Sequence, residues 1–150
     1  PSGPLLASTT GAYFGEVVRR SFAGVRWQAA GDDHQHCRLE FEDFYLCFNP
    51  VGVAVEVIRR GESEDWNAHF SMLDDTRAEV ERALRTGADV AAEDYYTFSV
   101  RFEALQQVAD LLGALQERLG PRRRRFGPDV YRAVIGERGE RGEGGERGRS

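Results

Sequence analysis

Residues 37–48, Cys37-Arg-Leu-Glu-Phe-Glu-Asp-Phe-Tyr-Leu-Cys-Phe48, decide the fold because apolar and polar residues alternate along both halves of this stretch. A period of two is typical of strands with one buried face, and a turn at Glu42 and Asp43 folds the stretch into a hairpin. In this register the core face carries Cys37, Leu39, Phe41, Phe44, Leu46 and Phe48, and the opposite face Arg38, Glu40, Tyr45 and Cys47. The two cysteines then lie on opposite faces, so we expect no disulfide between them; a shift of one residue would reverse this.

A helix and a strand are predicted before the hairpin. Apolar side chains recur at three- and four-residue spacings between residues 5 and 22, which predicts a helix with one apolar face. Residues 25–30 alternate in the manner of a half-buried strand. The predicted helix face carries Tyr13, Phe14, Val17, Val18 and Phe22.

The segment after the hairpin permits two interpretations. Asn49 followed by Pro50 is a typical helix start, with an N-cap side chain and then a residue whose φ suits the first turn. Valine at every second position from 51 to 57 favours a strand instead. We prefer a helix over residues 50–60 and retain the strand as the alternative.

Helices dominate the structure predicted after residue 60. Residues 68–72 are a candidate fourth strand, and a capping-box spacing begins a helix over residues 76–87. Residues 88–98 are predicted to form a loop, whereas apolar residues repeat every three or four positions over 100–119 and predict the longest helix. The sequence therefore predicts an α+β fold with an N-terminal helix, a three- to four-stranded mainly antiparallel sheet, and C-terminal helices packed on one face.

Charge and glycine content divide the chain near residue 120. Residues 1–120 carry 11 Arg against 20 Asp and Glu, a net charge of −9, whereas residues 121–150 carry 9 Arg against 5 acids, a net charge of +4. The end of the chain is nearly pure Gly, Glu and Arg, a composition typical of disordered segments. We predict a single α+β domain over residues 1–120 and a basic, disordered Arg/Gly/Glu-rich tail over residues 121–150.

Composition also bears on the cellular location. No apolar run approaches the roughly 20 residues that a membrane helix needs, and two cysteines are too few for the disulfide scaffold of a small secreted protein. These features favour a cytoplasmic protein that does not bind a membrane.

Metal-ligand residue types gather at one place, namely Asp32, Asp33, His34, His36 and Cys37. His-x-His on a strand places both rings on one side, but no second Cys/His pair follows at zinc-finger spacing. Turns after a strand are commonly rich in Asp, and we expect no metal and no cofactor.

The sequence contains no recognised catalytic motif: neither Gly-x-Ser-x-Gly nor a phosphate-binding glycine loop occurs. Glu16 lies four residues before Arg20, a spacing typical of a surface ion pair on a helix. The alternative pairs Glu16 with Glu93 or Asp94 as the two carboxylates of a small enzyme. An enzyme is therefore the second hypothesis for function.

Aromatic and basic residues are the candidate contact surfaces. Three aromatic side chains fall in the predicted loop, where they must either pack or bind a partner, and four consecutive arginines could contact phosphates. An acidic body opposes the approach of nucleic acid, so we favour a protein-interaction module: an adaptor, regulator or immunity-type partner in a bacterial assembly. Nucleic-acid binding through the arginine-rich tail is the third hypothesis. The candidate binding residues are Tyr95, Tyr96, Phe98, Glu16, Arg122, Arg123, Arg124 and Arg125.

The sequence Gly11-Ala-Tyr-Phe-Gly-Glu16, followed by Trp27 and by Phe48-Asn-Pro50, resembles a group of uncharacterised bacterial domains. In those domains a Gly-Ala-Tyr-x-Gly-Glu helix precedes a strand with a Trp and a hairpin. The resemblance covers residues 11 to about 119 and implies a small α+β domain with no assigned activity. Two glycines one turn apart in a helix indicate close approach by another backbone, unless the helix begins after Gly11.

Overall fold

The computed structural model describes residues 2–30, 33–84 and 92–147, with side chains over 3–29, 33–84 and 94–139. In the first half of the chain, one helix precedes three strands and a second helix follows them. These elements are α1 (Ser2–Ser21), β1 (Val25–Ala30), β2 (Asp33–Phe41), β3 (Cys47–Phe48) and α2 (Pro50–Arg59).

The second half is helical. Its elements are α3 (Asp74–Leu84), α4 (Ala92–Tyr95), α5 (Phe98–Leu119), a single 3₁₀ turn (Gly120–Arg122) and α6 (Pro128–Arg147). The α+β prediction is confirmed, since an N-terminal helix precedes a three-stranded antiparallel sheet of order β1-β2-β3 and several helices follow it.

The hairpin keeps the predicted faces although its turn is longer than expected. Leu39 pairs with Phe48 and Glu40 with Cys47, which leaves residues 42–46 as the turn instead of a two-residue loop. A Glu-Asp pair does not supply the left-handed backbone that a two-residue turn needs, which favours the longer loop. The change of register is two residues, so the faces are unchanged, and Cys37 and Cys47 are free thiols as expected.

The helix interpretation of residues 50–60 is confirmed. The Asn49 side chain accepts a hydrogen bond of 2.9 Å from the backbone N–H of Val51, and Pro50 occupies the first turn. Every residue of α2 from Pro50 to Glu56 is buried. A helix buried on all sides has no polar face, so its apolar residues do not repeat at the helical period of an amphipathic helix. The valines of α2 therefore gave no helical pattern in the sequence.

Three smaller predictions need correction. Residues 68–72 form no full strand, because a single antiparallel bridge joins Ser71 to Cys47. Helix α3 begins at Asp74, ahead of the predicted start at Thr76, whose hydroxyl donates to the carbonyl of Leu73. The predicted loop over 88–98 contains the short helix α4, while the predicted helix end at residue 87 lies outside the described residues.

One main core lies between the sheet and the helices α1, α2 and α5. The longest predicted helix is confirmed by α5, whose buried side chains include Leu105, Val108 and Leu112. The main core consists of Phe14, Val18, Leu39, Phe41, Leu46, Phe48, Val53, Ala68, Met72, Val80, Leu105, Val108 and Leu112.

Residues beyond 120 belong to a second apolar cluster. Phe126 and Tyr131 are 2% and 0% exposed, and they pack against Tyr45 and Cys47 on the sheet face opposite the main core. The Tyr131 ring stacks on that of Tyr45 with 4.4 Å between ring centroids. The packed domain therefore extends past the expected boundary at residue 120.

The Tyr131 hydroxyl also holds the hairpin turn. It accepts a 3.0 Å hydrogen bond from the backbone N–H of Leu46 and donates to the carbonyl of Phe41, at either end of the turn. Burial raises the pKa of Tyr131, so the hydroxyl keeps its proton and remains able to donate. The turn thus depends on a residue more than 80 positions away in the chain.

The second cluster generates a test with two shortened chains, one ending at residue 120 and the other at residue 139. The shorter chain loses two buried aromatic side chains, and removal of one such ring costs about 3–5 kcal/mol. We expect urea denaturation, followed by far-UV circular dichroism, to show the shorter chain less stable by at least about 3 kcal/mol. Equal stabilities would place the end of the packed domain at residue 120.

Candidate binding groove

Helix α1 packs against its neighbours through the glycines of the 11–16 motif. A Cβ atom at Gly11 would lie 2.5 Å from the Cα atom of Val51 in α2, and a Cβ at Gly15 would overlap the Trp27 ring in β1. Only glycine fits at such distances. The predicted approach of another backbone is confirmed at Gly11, and the alternative of a late helix start is wrong because α1 begins at Ser2.

Glu16 belongs to the same contact. Its carboxylate accepts hydrogen bonds of 2.9 and 3.0 Å from the Arg19 guanidinium and one of 2.8 Å from the Trp27 indole N–H. These bonds, led by that from Arg19, lower the pKa of Glu16 to about 2. The predicted ion pair with Arg20 is present at 3.5 Å. A general acid or base needs a pKa near the working pH, so the environment of Glu16 suits an anchor for Trp27 instead.

The apolar residues of α1, predicted to share one face, divide between two sides of the helix. Phe14 and Val18 are 6% and 0% exposed and belong to the main core, whereas Tyr13 and Val17 are 74% and 37% exposed. Residues 13 and 14, like 17 and 18, are about 100° apart around a helix, which is enough to separate them. Tyr13 therefore contributes little to the packing made by the rest of the motif.

Tyr13 and Val17 border an open groove of about 830 Å³ between α1 and α5. Its floor includes the rings of Phe14 and Phe98, whose centroids are 5.1 Å apart. The lining consists of Thr9, Thr10, Tyr13, Phe14, Val17, Phe98, Ser99, Phe102, Glu103 and Gln106. Apolar walls with a few polar groups at the margin are typical of binding surfaces.

The exposed apolar side of α1 extends beyond the groove toward the N-terminus. Leu6, Thr10, Tyr13 and Val17 are spaced by four, three and four residues, and we call this row the α1 seam. Leu6 is 52% exposed, and Leu5 beside it is 69% exposed. Residues 1–15 contain no charged residue, although a solvent-facing helix surface normally carries several. Depletion of charge is typical of the centre of protein interfaces.

The three aromatic residues predicted as contacts lie in two environments. Phe98 lines the groove, as described above. The Tyr95 ring covers the guanidinium of Arg101, with 4.0 Å from the ring centroid to its central carbon, and Tyr96 lies on the same guanidinium at 5.8 Å. Arg101 thus gives Tyr95 and Tyr96 a packing role.

A buried ion pair that the sequence patterns did not predict holds α5 against α2. The side chains of Arg101 and Glu56 are 3% and 5% exposed, and they bond directly to each other. Glu56 also accepts a 3.0 Å hydrogen bond from the backbone N–H of Ser63. The sequence did contain one indication of this pair. Glu56 interrupts the apolar residues of α2, and a buried carboxylate requires a partner.

The four arginines lie at a different surface. All are exposed, and Arg125 forms a 3.3 Å ion pair with Glu42 while Arg124 lies 5.3 Å from the Phe126 ring. Arg123, Arg124 and Arg125 border a smaller cavity of about 240 Å³ that shares no lining residue with the groove. The predicted binding residues therefore do not share one cavity, since Phe98 lines the groove and Arg123, Arg124 and Arg125 line the smaller cavity.

The other candidate catalytic and metal-binding residues among those described give weaker evidence for a functional site. Asp94 is exposed, and the side chain of Glu93 lies outside the described residues, as does Asp32. Among the described side chains no three potential ligands are close enough to hold a metal ion, and Asp33 pairs with His36. Within the described helices, none is long and apolar enough to span a membrane.

Both cysteines border a cavity of about 190 Å³ at the edge of the sheet, together with His36 and His69. Burial raises the pKa of Cys37 and of Cys47, which keeps both thiols protonated at neutral pH. A nucleophilic cysteine needs the opposite shift. These thiols therefore suit packing better than catalysis.

Comparison with protein-family models, with curated proteins and with solved structures gives no match for this chain.

A pair of glycine substitutions tests the contact between α1 and α2. Gly11→Ala places a methyl group against the Val51 backbone, and we expect a loss of about 1–3 kcal/mol in the free energy of unfolding. Gly113→Ala is the matched control, because no atom lies within 4 Å of its added Cβ in α5, and it should stabilise by about 0.5–1 kcal/mol. Chemical denaturation measures both. A neutral Gly11→Ala would contradict the close approach.

Proposed function

We propose that the chain is a protein-interaction module, an adaptor, regulator or immunity-type partner in a bacterial assembly, and that the α1–α5 groove receives its partner. One observation carries this proposal: Tyr13 is 74% exposed at the wall of the groove, within a motif whose glycines and glutamate pack the fold. A protein partner would bury this aromatic side chain, which stays exposed in the isolated domain.

The energy available at Tyr13 supports a binding role. A tyrosine side chain buries about 150–250 Å² when fully covered, and apolar burial contributes about 25 cal/mol per Å². Covering an exposed Tyr13 would thus contribute roughly 3 kcal/mol before the costs of association. Tyrosine is also among the residues most often found at the energetic centres of interfaces.

The shape of the surface favours a protein over a small molecule. A small-molecule pocket usually encloses 70–90% of its ligand, whereas this groove is an open trough whose wall residue Tyr13 is mostly exposed. The α1 seam continues past the groove to Leu6, and a protein segment can cover that extra length.

The enzyme hypothesis has less support. It depended on Glu16 acting with a second carboxylate, but Glu16 is held by Arg19 and Trp27 with a pKa of about 2. Such a group is a weak base at neutral pH.

Site-specific photo-crosslinking tests the proposal in the cells that produce the protein. Benzoylphenylalanine replaces Tyr13 or Val17 in the groove wall, or Leu84 on α3 as a control, since Leu84 is 39% exposed and lies outside the groove lining. We expect positions 13 and 17 to link to the same protein segment, identified by mass spectrometry, and position 84 not to link to it. The absence of such a product, or the same product at position 84, would contradict the proposal.

A further inference from the structure

We infer that the partner presents an amphipathic α-helix with a basic flank, which lies along the groove with its apolar side on the α1 seam. The inference rests on the proposed function and names the chemistry of the occupant. Three features carry it: the spacing of the seam, the charge of the α5 edge, and the absence of charge on the α1 wall.

The spacing of the α1 seam matches that of helices that pack side by side. Steps of four, three and four residues from Leu6 to Val17 repeat the apolar seam of a coiled coil, in which side chains of one helix fill gaps in the next. The seam covers three turns, a length of about 16 Å. A third helix in the groove would pack about 8–10 Å from α1 and from α5.

The α5 edge of this surface is acidic. Glu103 lines the groove, and Asp110 follows seven residues later, so it lies on nearly the same side of the helix. Glu117, a further seven residues on, borders the separate cavity with Arg123, Arg124 and Arg125. Glu103 and Asp110 are exposed, and no ion pair among the described side chains involves them. Rows of charge at this spacing beside an apolar seam select the charge of the neighbouring helix.

The opposite wall of the groove carries no matching acids. Residues 1–15 are uncharged, and the first charged residue of α1, Glu16, is already paired. A complementary helix therefore needs cations on its α5 side only, while the side that faces α1 can remain neutral. This asymmetry also fixes the direction in which the basic flank of the partner points.

A second copy of the chain fits the surface less well. The α1 seam of another molecule would offer an apolar side, but it has no cation until Arg19 and Arg20 at the end of the helix. Glu103 and Asp110 would then stay unpaired. A helix of different sequence satisfies both walls.

Two synthetic 18-residue helical peptides test the inference against the full chain. They share one leucine seam and differ only in the flank, which carries lysine in one peptide and glutamate in the other. Fluorescence anisotropy should show the lysine peptide binding about tenfold more tightly, since each exposed ion pair contributes about two- to fivefold. The difference should shrink as salt is raised. Failure of both peptides to bind, or equal binding, would overturn the inference.

Charge reversal identifies the surface that the peptides use. Glu103→Lys should weaken the lysine peptide and strengthen the glutamate peptide, each by about two- to fivefold. Glu81→Lys on α3 makes the same change in net charge at an exposed position outside the groove lining, and it should leave the ratio of the two affinities unchanged. Tyr13→Ala should weaken both peptides equally. The same reversal in Glu81→Lys as in Glu103→Lys would overturn the inference.

The crosslinking and peptide experiments distinguish a failure of this inference from a failure of the proposed function. Photo-crosslinks from positions 13 and 17 to a segment that is not a basic helix would overturn the inference and leave the proposed function standing. A wild-type chain that sediments as a dimer and excludes both peptides would also overturn it in favour of a second copy. No crosslinked segment at positions 13 and 17 would remove the proposed function itself.

Discussion

The contact between Gly11 of α1 and the backbone of Val51 in α2 is the constraint on which the rest of the surface depends. Because no side chain fits between the two helices at this point, the orientation of α1 about its own axis is fixed. Trp27 fixes it a second time, since its ring packs on Gly15 and its indole N–H donates to Glu16. The side of α1 that carries Tyr13 must then face outward.

The groove follows from the separate anchoring of two helices. Helix α1 is fixed by its glycines, whereas α5 is fixed by the buried pair of Arg101 with Glu56 on α2. Phe14 and Phe98 close the floor where the two helices approach each other. The same anchors that stabilise the fold therefore leave an apolar trough with an uncharged α1 wall and with Glu103 on its α5 wall.

Local patterns predicted much of this fold, and long-range contacts account for what they missed. The period of two in residues 37–48 gave the correct sheet faces, because a register change of two residues preserves them. Burial of Phe126 and Tyr131 was hidden in an arginine-rich segment, since their partner Tyr45 is about 80 residues away. The groove could not be predicted because Tyr13 and Val17 have the same spacing as their buried neighbours. Only the positions of α2 and α5 determine which of these side chains are buried and which are exposed.

The central claim is that α1 has a packing side and a free side, and the free energies of unfolding of Tyr13→Ala and Phe14→Ala test it most directly. For the exposed Tyr13 the account predicts a change within about 0.5 kcal/mol. For Phe14, which is 6% exposed in the main core, it predicts a loss of about 3–5 kcal/mol. A loss of about 2 kcal/mol or more at Tyr13 would contradict the account, because Tyr13 would then stabilise the fold and no free aromatic side chain would remain for a partner.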